Sequence, residues 1–191
     1  NIKLYTQLVQ DGLGNGKAAH YLHVLGQQAE RLEHLVQDIL ELASLESSDS
    51  VLEWRPVNLV EMLEQLVVKN ERRAQLSQHT LNFAAPDNLP LFKGDPVRLR
   101  QVFNELVDNA FAYTPTGTTI SLETALHEEE NRQWLVVQVQ DNGPGITLED
   151  QPHVFDRFFR GRPAEQGNIV GRGLGLCIAQ QIVQAHHGHI A

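Results

Sequence analysis

Three short segments hold residues whose types and spacing suit the binding of a base and of phosphate groups. Glu105 and Asn109 lie four residues apart in a helical segment, so they share one face. Asp141 ends an alternating segment and opens the turn Asp141–Ile146, whose two glycines let the backbone approach a ligand. Its carboxylate can accept hydrogen bonds from an amine-bearing base. Gly171–Leu176 places three glycines at a helix start, where backbone N–H groups can cradle phosphate.

Each of these signals is weak alone. A glycine triplet is most often a turn, and an Asn on a helix is most often a surface residue or a cap. The segments nevertheless follow one another in a defined order: the helical Asn109, the Asp141 turn, the aromatic and arginine segment Phe155–Gly161, and the second glycine cluster. The order and spacing of the whole set therefore indicate a ligand-binding site.

The predicted elements around these segments form an α+β fold. Asp95 and Pro96 are typical of a helix start, and that helix is predicted to run to Tyr113. The other predicted elements are strands at Val51–Val57, His79–Ala85, Thr118–Leu126 and Gln133–Gln140, and helices near Leu59–Gln78, Leu148–Phe158 and Leu174–His187. We expect a two-layer sandwich of a mixed β-sheet with helices on one face.

Residues 18–46 are predicted to form one long helix that needs partners. Its apolar residues step by three and four positions: Leu22, Leu25, Ala29, Leu32, Val36, Ile39 and Ala43. The tail of a preceding helix at Asn1–Val9 and a turn at Asp11–Lys17 would complete a helical hairpin. Two helices cannot close a bundle, so a homodimeric four-helix bundle is expected.

Composition excludes several classes of protein. The chain has 191 residues, 41% hydrophobic and 20% charged, which is typical of a globular protein. A net charge of -9 argues against nucleic acid as a partner. The single cysteine, Cys177, excludes a disulfide framework. No apolar run is long enough to span a bilayer, so we expect no direct membrane contact by these residues. A cytoplasmic location is also expected. Whether a longer parent protein is membrane-anchored is left open.

The ordered segments resemble the ATP-binding domain of sensor histidine kinases, relatives of heat-shock chaperones, gyrase and mismatch-repair ATPases. RLRQVFNELVDNAFAYTP resembles the N box, DNGPGI the G1 box, FDRFFRG the F box and GRGLGL the G2 box. AERLEHLVQDILELASLES resembles the second helix of the dimerisation and phosphotransfer domain. The resemblance implies a partial helical hairpin at residues 1–50 and an ATP-binding catalytic domain at 51–191, with its last strands cut off.

The resemblance also implies roles for individual residues. Asn109 would hold Mg²⁺, Asp141 would bond the adenine amino group, and Gly161–Val170 would form a mobile lid. The candidate catalytic residues are Glu105 and Asn109. The implied ATP-binding set is Asn109, Tyr113, Asp141, Gly143, Gly145, Ile146, Phe158, Arg160, Gly171, Arg172, Gly173, Leu174, Gly175 and Leu176.

Several positions depart from the family pattern. Glu105 stands where most of these kinases carry Asn; in the chaperone and mismatch-repair relatives, Glu at this spacing is the general base for water. Ala112 replaces a usual Lys or Arg, and Arg172 either supplies that charge or faces solvent. No His-Glu-Leu-Arg-Thr-Pro box is present, so the phospho-acceptor histidine is expected upstream of Asn1.

The implied function is that of the catalytic core of a two-component sensor histidine kinase. It would bind ATP and Mg²⁺ and pass the γ-phosphoryl group to the upstream histidine, for relay to an aspartate of a response-regulator receiver domain. Two alternatives stay open: a dimeric nucleotide-sensing scaffold without phosphotransfer, and an ATP hydrolase that uses Glu105.

Overall fold

The chain divides into two compact units, Asn1–Ser44 and Leu45–Ala191. The structure is a computed structural model, and it describes residue 6 and residues 18–46, 52–86, 88–129, 132–161 and 172–191. The predicted turn at Asp11–Lys17, Gly171 and all but Gly161 of the predicted lid lie outside the described residues. So does the predicted helix tail at Asn1–Val9, apart from the helical Thr6.

Helix α1, Ala18–Glu46, confirms the predicted long helix, and all but its last two residues belong to the first unit. Several side chains of the heptad seam are exposed, with Leu32 at 55%, Val36 at 48% and Ile39 at 43%. Leu42, near the end of the helix, is buried. Among the described helices, none combines the length and the apolarity that crossing a bilayer requires.

The described part of the second unit contains two small sheets. Strands β1 (Arg55–Val57) and β3 (Phe92–Gly94) pair antiparallel, and β3 is an element that the sequence did not predict. The larger, mixed sheet has the order β2-β4-β5. Its strands are β2 (Thr80–Ala84), β4 (Thr119–Glu129) and β5 (Arg132–Asp141); β2 and β4 run parallel, whereas β4 and β5 run antiparallel.

Among the described residues of this unit, three α-helices accompany the sheets: α2 (Leu59–Leu76), α3 (Pro96–Tyr113) and α4 (Gly175–Ala185). The helix predicted near Leu148–Phe158 is wrong, because this segment holds only a three-residue 3₁₀ turn at Gln151–His153. Pro152 lacks the backbone N–H that a longer helix needs. Phe158 adopts a φ of 63°, which lies outside the helical region.

Asp95 caps α3 and joins it to two other segments. Its Oδ1 accepts from the backbone N–H groups of Val97 at 3.0 Å and Arg98 at 3.1 Å, and its Oδ2 accepts from the N–H of Glu53 at 3.0 Å. Burial alone would raise the pKa of Asp95, but these three N–H donors and the nearby His186 outweigh it and lower that pKa. The N–H of Asp95 also donates to Nε2 of His186, just after α4, at 2.9 Å.

The core of the second unit lies between the helices and the larger sheet. Its most completely buried side chains come from all three helices, from β4 and from the residue before α4: Leu63, Val107, Ile120, Leu122, Leu174, Ile178 and Ile182. Ile120 pairs with Asp141 in the ladder between β4 and β5. The strand end that carries Asp141 is therefore held by a fully buried neighbour.

Candidate functional site

Helix α3 carries candidate residues along its C-terminal half. Glu105 and Asn109 are partly buried, and Tyr113, the last residue of the helix, is 37% exposed. Eight residues separate Glu105 from Tyr113, which corresponds to about 12 Å along the helix axis. The helix thus spans two separate contact regions of the candidate site.

The turn after β5 forms the first of these regions. Asp141 is exposed, and its Oδ1 accepts from the N–H of Gly143 at 2.9 Å. Asn142 ties the turn to the start of β4, because its Oδ1 accepts from the N–H of Thr119 at 2.7 Å and its own N–H donates to the Thr119 carbonyl at 3.2 Å. Gly145 has a φ of 72° and open space beside it, as expected where backbone must meet a ligand.

The end of α3 meets this turn at Gly143. A Cβ at that position would lie 2.7 Å from the Thr114 methyl carbon and 2.8 Å from Asp141 Oδ1. Both distances are shorter than a van der Waals contact, so only glycine fits there without displacement of its neighbours. The structure therefore brings Asp141 and Gly143 together with the residue that follows Tyr113.

The second region lies at the start of α4. A Cβ on Gly175, the first residue of that helix, would lie 2.1 Å from Oε2 of Glu105. The Glu105 carboxylate therefore occupies the space next to the first turn of α4. This is the end of a helix where backbone N–H groups and the helix dipole favour negative charge, including phosphate.

Phe158 and Gly173, which lie before and after the predicted lid segment in the chain, contact each other. The N–H of Phe158 donates to the Gly173 carbonyl at 2.8 Å, and Gly173 has a φ of 69°. A Cβ on Gly173 would lie 2.5 Å from the Phe159 carbonyl oxygen, so the close approach of these two segments requires glycine.

The other members of the predicted set differ in exposure. Leu174 is fully buried and serves the core, whereas Ile146 and Phe158 are exposed by 55% and 56%. Arg160 and Leu176 are partly buried, and Arg172 is exposed. The exposure of Arg172 is compatible with both of its predicted roles.

The donor chemistry of these regions fits ATP and Mg²⁺. The Asn109 amide oxygen, one turn after the Glu105 carboxylate, is a hard oxygen ligand of the kind that Mg²⁺ prefers. Among the described residues, no group of three His, Cys, Asp or Glu side chains could hold a metal ion. A cation here would consequently need oxygens from the phosphates and water as well.

Two residues near the site were not among the site residues predicted from the sequence. Thr114 was interpreted only as the end of α3, and its contact with Gly143 joins residues that are distant in the chain. His79, whose Nε2 lies 3.0 Å from Thr114 Oγ1, is 35 residues away from it. The place of Thr114 within the N box, directly after Tyr113, was a usable signal, whereas nothing in the sequence pointed to His79.

Two family models match the chain. Residues 94–191 match the histidine kinase-, DNA gyrase B- and HSP90-like ATPases, and residues 1–48 match the His Kinase A (phospho-acceptor) domain. The sensor protein SphS of Synechococcus elongatus is 33% identical over 198 residues, which cover 100% of this chain and 46% of SphS. The chain thus spans less than half the length of that relative.

Solved structures give the same result. The kinase ShkA, in a full-length structure with AMPPNP, is 25% identical, with a TM-score of 0.74 over 90% of this chain and 34% of ShkA. The kinase ThkA, in complex with the response regulator protein TrrA, is 24% identical, with a TM-score of 0.69 over 98% of this chain and 52% of ThkA. The ThkA match shows the likeness of the fold.

Proposed function

The chain belongs to the histidine kinase-, DNA gyrase B- and HSP90-like ATPases, among the sensor histidine kinases, and on this premise we propose how its residues act. The unit Leu45–Ala191 binds ATP with Mg²⁺ and transfers the γ-phosphoryl group to a histidine. The observation that carries this proposal is the arrangement along α3. Near the middle of α3, Glu105 contacts the glycine-rich start of α4. Just beyond the end of α3, Thr114 contacts the turn that begins at Asp141. A nucleotide is likewise elongated, with its base at one end and its phosphates at the other.

Asp141 is proposed to recognise the base. Its Oδ1 is engaged by the N–H of Gly143, and its exposed carboxylate offers Oδ2 to the exocyclic amine of adenine. A carboxylate accepts from an amine but repels the carbonyl oxygen that guanine carries at the corresponding position. This residue therefore favours ATP over GTP.

Asn109 is proposed to hold Mg²⁺ through its side-chain oxygen. Bound Mg²⁺ neutralises phosphate charge and orients the γ-phosphoryl group. The backbone N–H groups at the start of α4 add a favourable field for the phosphates. These residues position and neutralise, which is most of what phosphoryl transfer requires of a protein.

In the transfer, the unprotonated ring nitrogen of the acceptor histidine attacks the γ-phosphorus. A nitrogen–phosphorus bond forms, the bond to the bridging β–γ oxygen breaks, and ADP leaves with that electron pair. None of the nine histidines stands in a phospho-acceptor box, so the acceptor we propose is outside these 191 residues. Because a neutral imidazole attacks through its lone pair, this step needs no separate base.

Two partners are proposed. The match of residues 1–48 to the phospho-acceptor domain and the exposed seam of α1 support a homodimer through the helical hairpin. The complex of ThkA with TrrA supports a response-regulator receiver domain as the final acceptor. The cytoplasmic location stays a prediction.

ATP hydrolysis is a second candidate function, and Glu105 is the specific observation that favours it. Its carboxylate lies beside the start of α4, one helical turn from Asn109, where it could deprotonate water. If so, Glu105→Gln should slow release of free phosphate while ATP still binds.

Incubation with γ-labelled ATP separates these functions. We expect this chain to bind ATP without forming an acid-labile phosphohistidine, and a longer form that contains a phospho-acceptor box to form one. Absence of label in the longer form, with ATP bound, would favour the nucleotide-sensing scaffold. Free phosphate that is unchanged in Glu105→Gln would remove the general-base role of Glu105.

A further inference from the structure

His79 joins the turn after α2 to the end of α3. Its Nδ1 lies 2.9 Å from both the carbonyl oxygen and the hydroxyl oxygen of Ser77. Its Nε2 lies 3.0 Å from Thr114 Oγ1. The partly buried ring also meets Phe111 edge-on, with ring centroids 5.2 Å apart at an angle of 66°. Contacts on both ring nitrogens and on one ring edge hold the imidazole in a single orientation.

The Thr114 hydroxyl oxygen lies within hydrogen-bond distance of two groups, the Ala110 carbonyl and the His79 ring. The Thr114 hydroxyl lies 2.5 Å from the Ala110 carbonyl oxygen, which can only accept, so the hydroxyl hydrogen is donated there. Nε2 of His79 lies 3.0 Å from the same Thr114 oxygen. Thr114 is thereby held from two sides, by α3 and by His79.

The position of Thr114 matters because its methyl group fills the space beside Gly143. The Thr114 methyl carbon lies 2.7 Å from where a Gly143 Cβ would be, and Asp141 Oδ1 binds the N–H of the same glycine at 2.9 Å. A shift of Thr114 would therefore move the Gly143 backbone, and with it the hydrogen bond that orients the Asp141 carboxylate.

We propose that His79 is a positioning residue for adenine recognition, acting through Thr114 and Gly143 on Asp141. This inference rests on the proposed function, in which Asp141 binds the base. It assigns to a residue of the turn between α2 and β2 a role in nucleotide selectivity, although that residue belongs to none of the glycine or N-box segments. His79 does not touch the phosphate region around Glu105 and Gly175 by any contact described above.

Calorimetric titration of the 191-residue chain with ATP, ADP and GTP tests the proposal. His79→Phe keeps an aromatic ring against Phe111 but removes both nitrogens, and His79→Gln keeps an N–H donor near the position of Nε2. Loss of one such hydrogen bond corresponds to roughly a three- to tenfold change in an equilibrium constant. We expect His79→Phe to weaken ATP and ADP by this factor, equally with and without Mg²⁺, to leave GTP nearly unchanged, and His79→Gln to restore most of the loss.

Two further variants control for folding and for loss of a histidine. Thr114→Val keeps the shape of Thr114 without its hydroxyl and should reproduce His79→Phe; it also carries the test if His79→Phe does not fold. His127→Phe, at an exposed histidine on β4, should leave ATP binding unchanged. If the unmodified chain fails to prefer ATP over GTP, the proposed function itself is contradicted. If it does prefer ATP, then unchanged selectivity in His79→Phe, or an equal loss for ATP and GTP, overturns the role of His79.

Discussion

The two units of the chain differ in how far they bury their apolar side chains. The unit Leu45–Ala191 buries Leu63, Ile120 and Ile178 within its own helices and sheet. Helix α1 instead leaves the seam residues Leu32, Val36 and Ile39 in contact with solvent. From this difference we predict that the α+β unit is stable by itself and that the helical unit needs a second chain.

Substitutions in the heptad seam of α1 should therefore have the largest effect, which is loss of the dimer. Replacing Leu32 and Ile39 with Lys places two charges in the dimer interface, and we expect monomers at micromolar concentration with ATP binding retained. Gln27→Lys with Gln37→Lys adds the same charge at exposed positions off the seam and should leave the dimer intact. Light scattering measures both. A monomeric unmodified chain would show that these residues do not form the bundle alone.

A substitution in the core of the α+β unit should change the stability of that unit and not its dimerisation. Leu63 is fully buried in α2, so Leu63→Ala should destabilise the α+β unit by about 2–5 kcal/mol and leave dimerisation intact. Val68 lies on the same helix but is 65% exposed, and Val68→Ala should change the stability by less than about 0.5 kcal/mol. Chemical denaturation followed by tryptophan fluorescence gives both values. Equal losses would mean that α2 does not pack as described.

Replacing one glycine of each unit with alanine compares the two units through a single added methyl group. Gly26, in α1, has no atom within 4 Å of a built Cβ, so Gly26→Ala should stabilise the helix by about 0.5–1 kcal/mol. Gly175→Ala would place its methyl against the Glu105 carboxylate and should cost about 1 kcal/mol. The cost should vanish in the background of Glu105→Ala, as a double-mutant cycle measured by thermal denaturation can show. A cost that persists there would contradict the contact.

The smallest effect concerns acid pH and only the α+β unit. The lowered pKa of Asp95 means that its charge stabilises the fold above the unfolded pKa of about 3.8, and that this stability is lost as the pH falls through the lower native value. Asp95→Asn keeps one acceptor but loses the charge and the second acceptor, and it should cost about 0.5–1 kcal/mol at pH 7. The difference should shrink below pH 4, because protonation of Asp95 removes the same charge and the same acceptor. Denaturation at several pH values measures it. A constant difference would show that charge is not involved.

Local chemistry made several parts of the fold predictable. Helix α3 begins after Asp95 and ends at Tyr113 as expected, because caps and proline act through neighbouring residues. The contacts that failed to appear in the sequence are non-local: β3 exists only through its pairing with β1, and His79 reaches Thr114 across 35 residues. The helix predicted near Leu148–Phe158 failed because Pro152 and the left-handed Phe158 outweigh its apolar periodicity.

The candidate site shows the same difference between local sequence signals and non-local contacts. The order of the glycine segments indicated which residues to consider, but not that Gly175 lies against Glu105 or that Gly143 lies against Thr114. Such contacts depend on how α3, α4 and the turn after β5 pack together, and each partner lies far away in the chain. Sequence patterns thus predicted the composition of the site, and packing determines its geometry.

The central claim is that the α+β unit binds ATP with its base at Asp141 and its Mg²⁺ at Asn109. The most direct test is calorimetric titration of ATP, with and without Mg²⁺, into the unmodified chain, Asp141→Ala and Asn109→Ala. We predict that Asp141→Ala weakens binding by a similar factor in both conditions, because it removes recognition of the base. Asn109→Ala should weaken binding chiefly when Mg²⁺ is present, because it removes one ligand of the metal. Equal, metal-independent losses in the two variants, or no loss in either, would contradict the account.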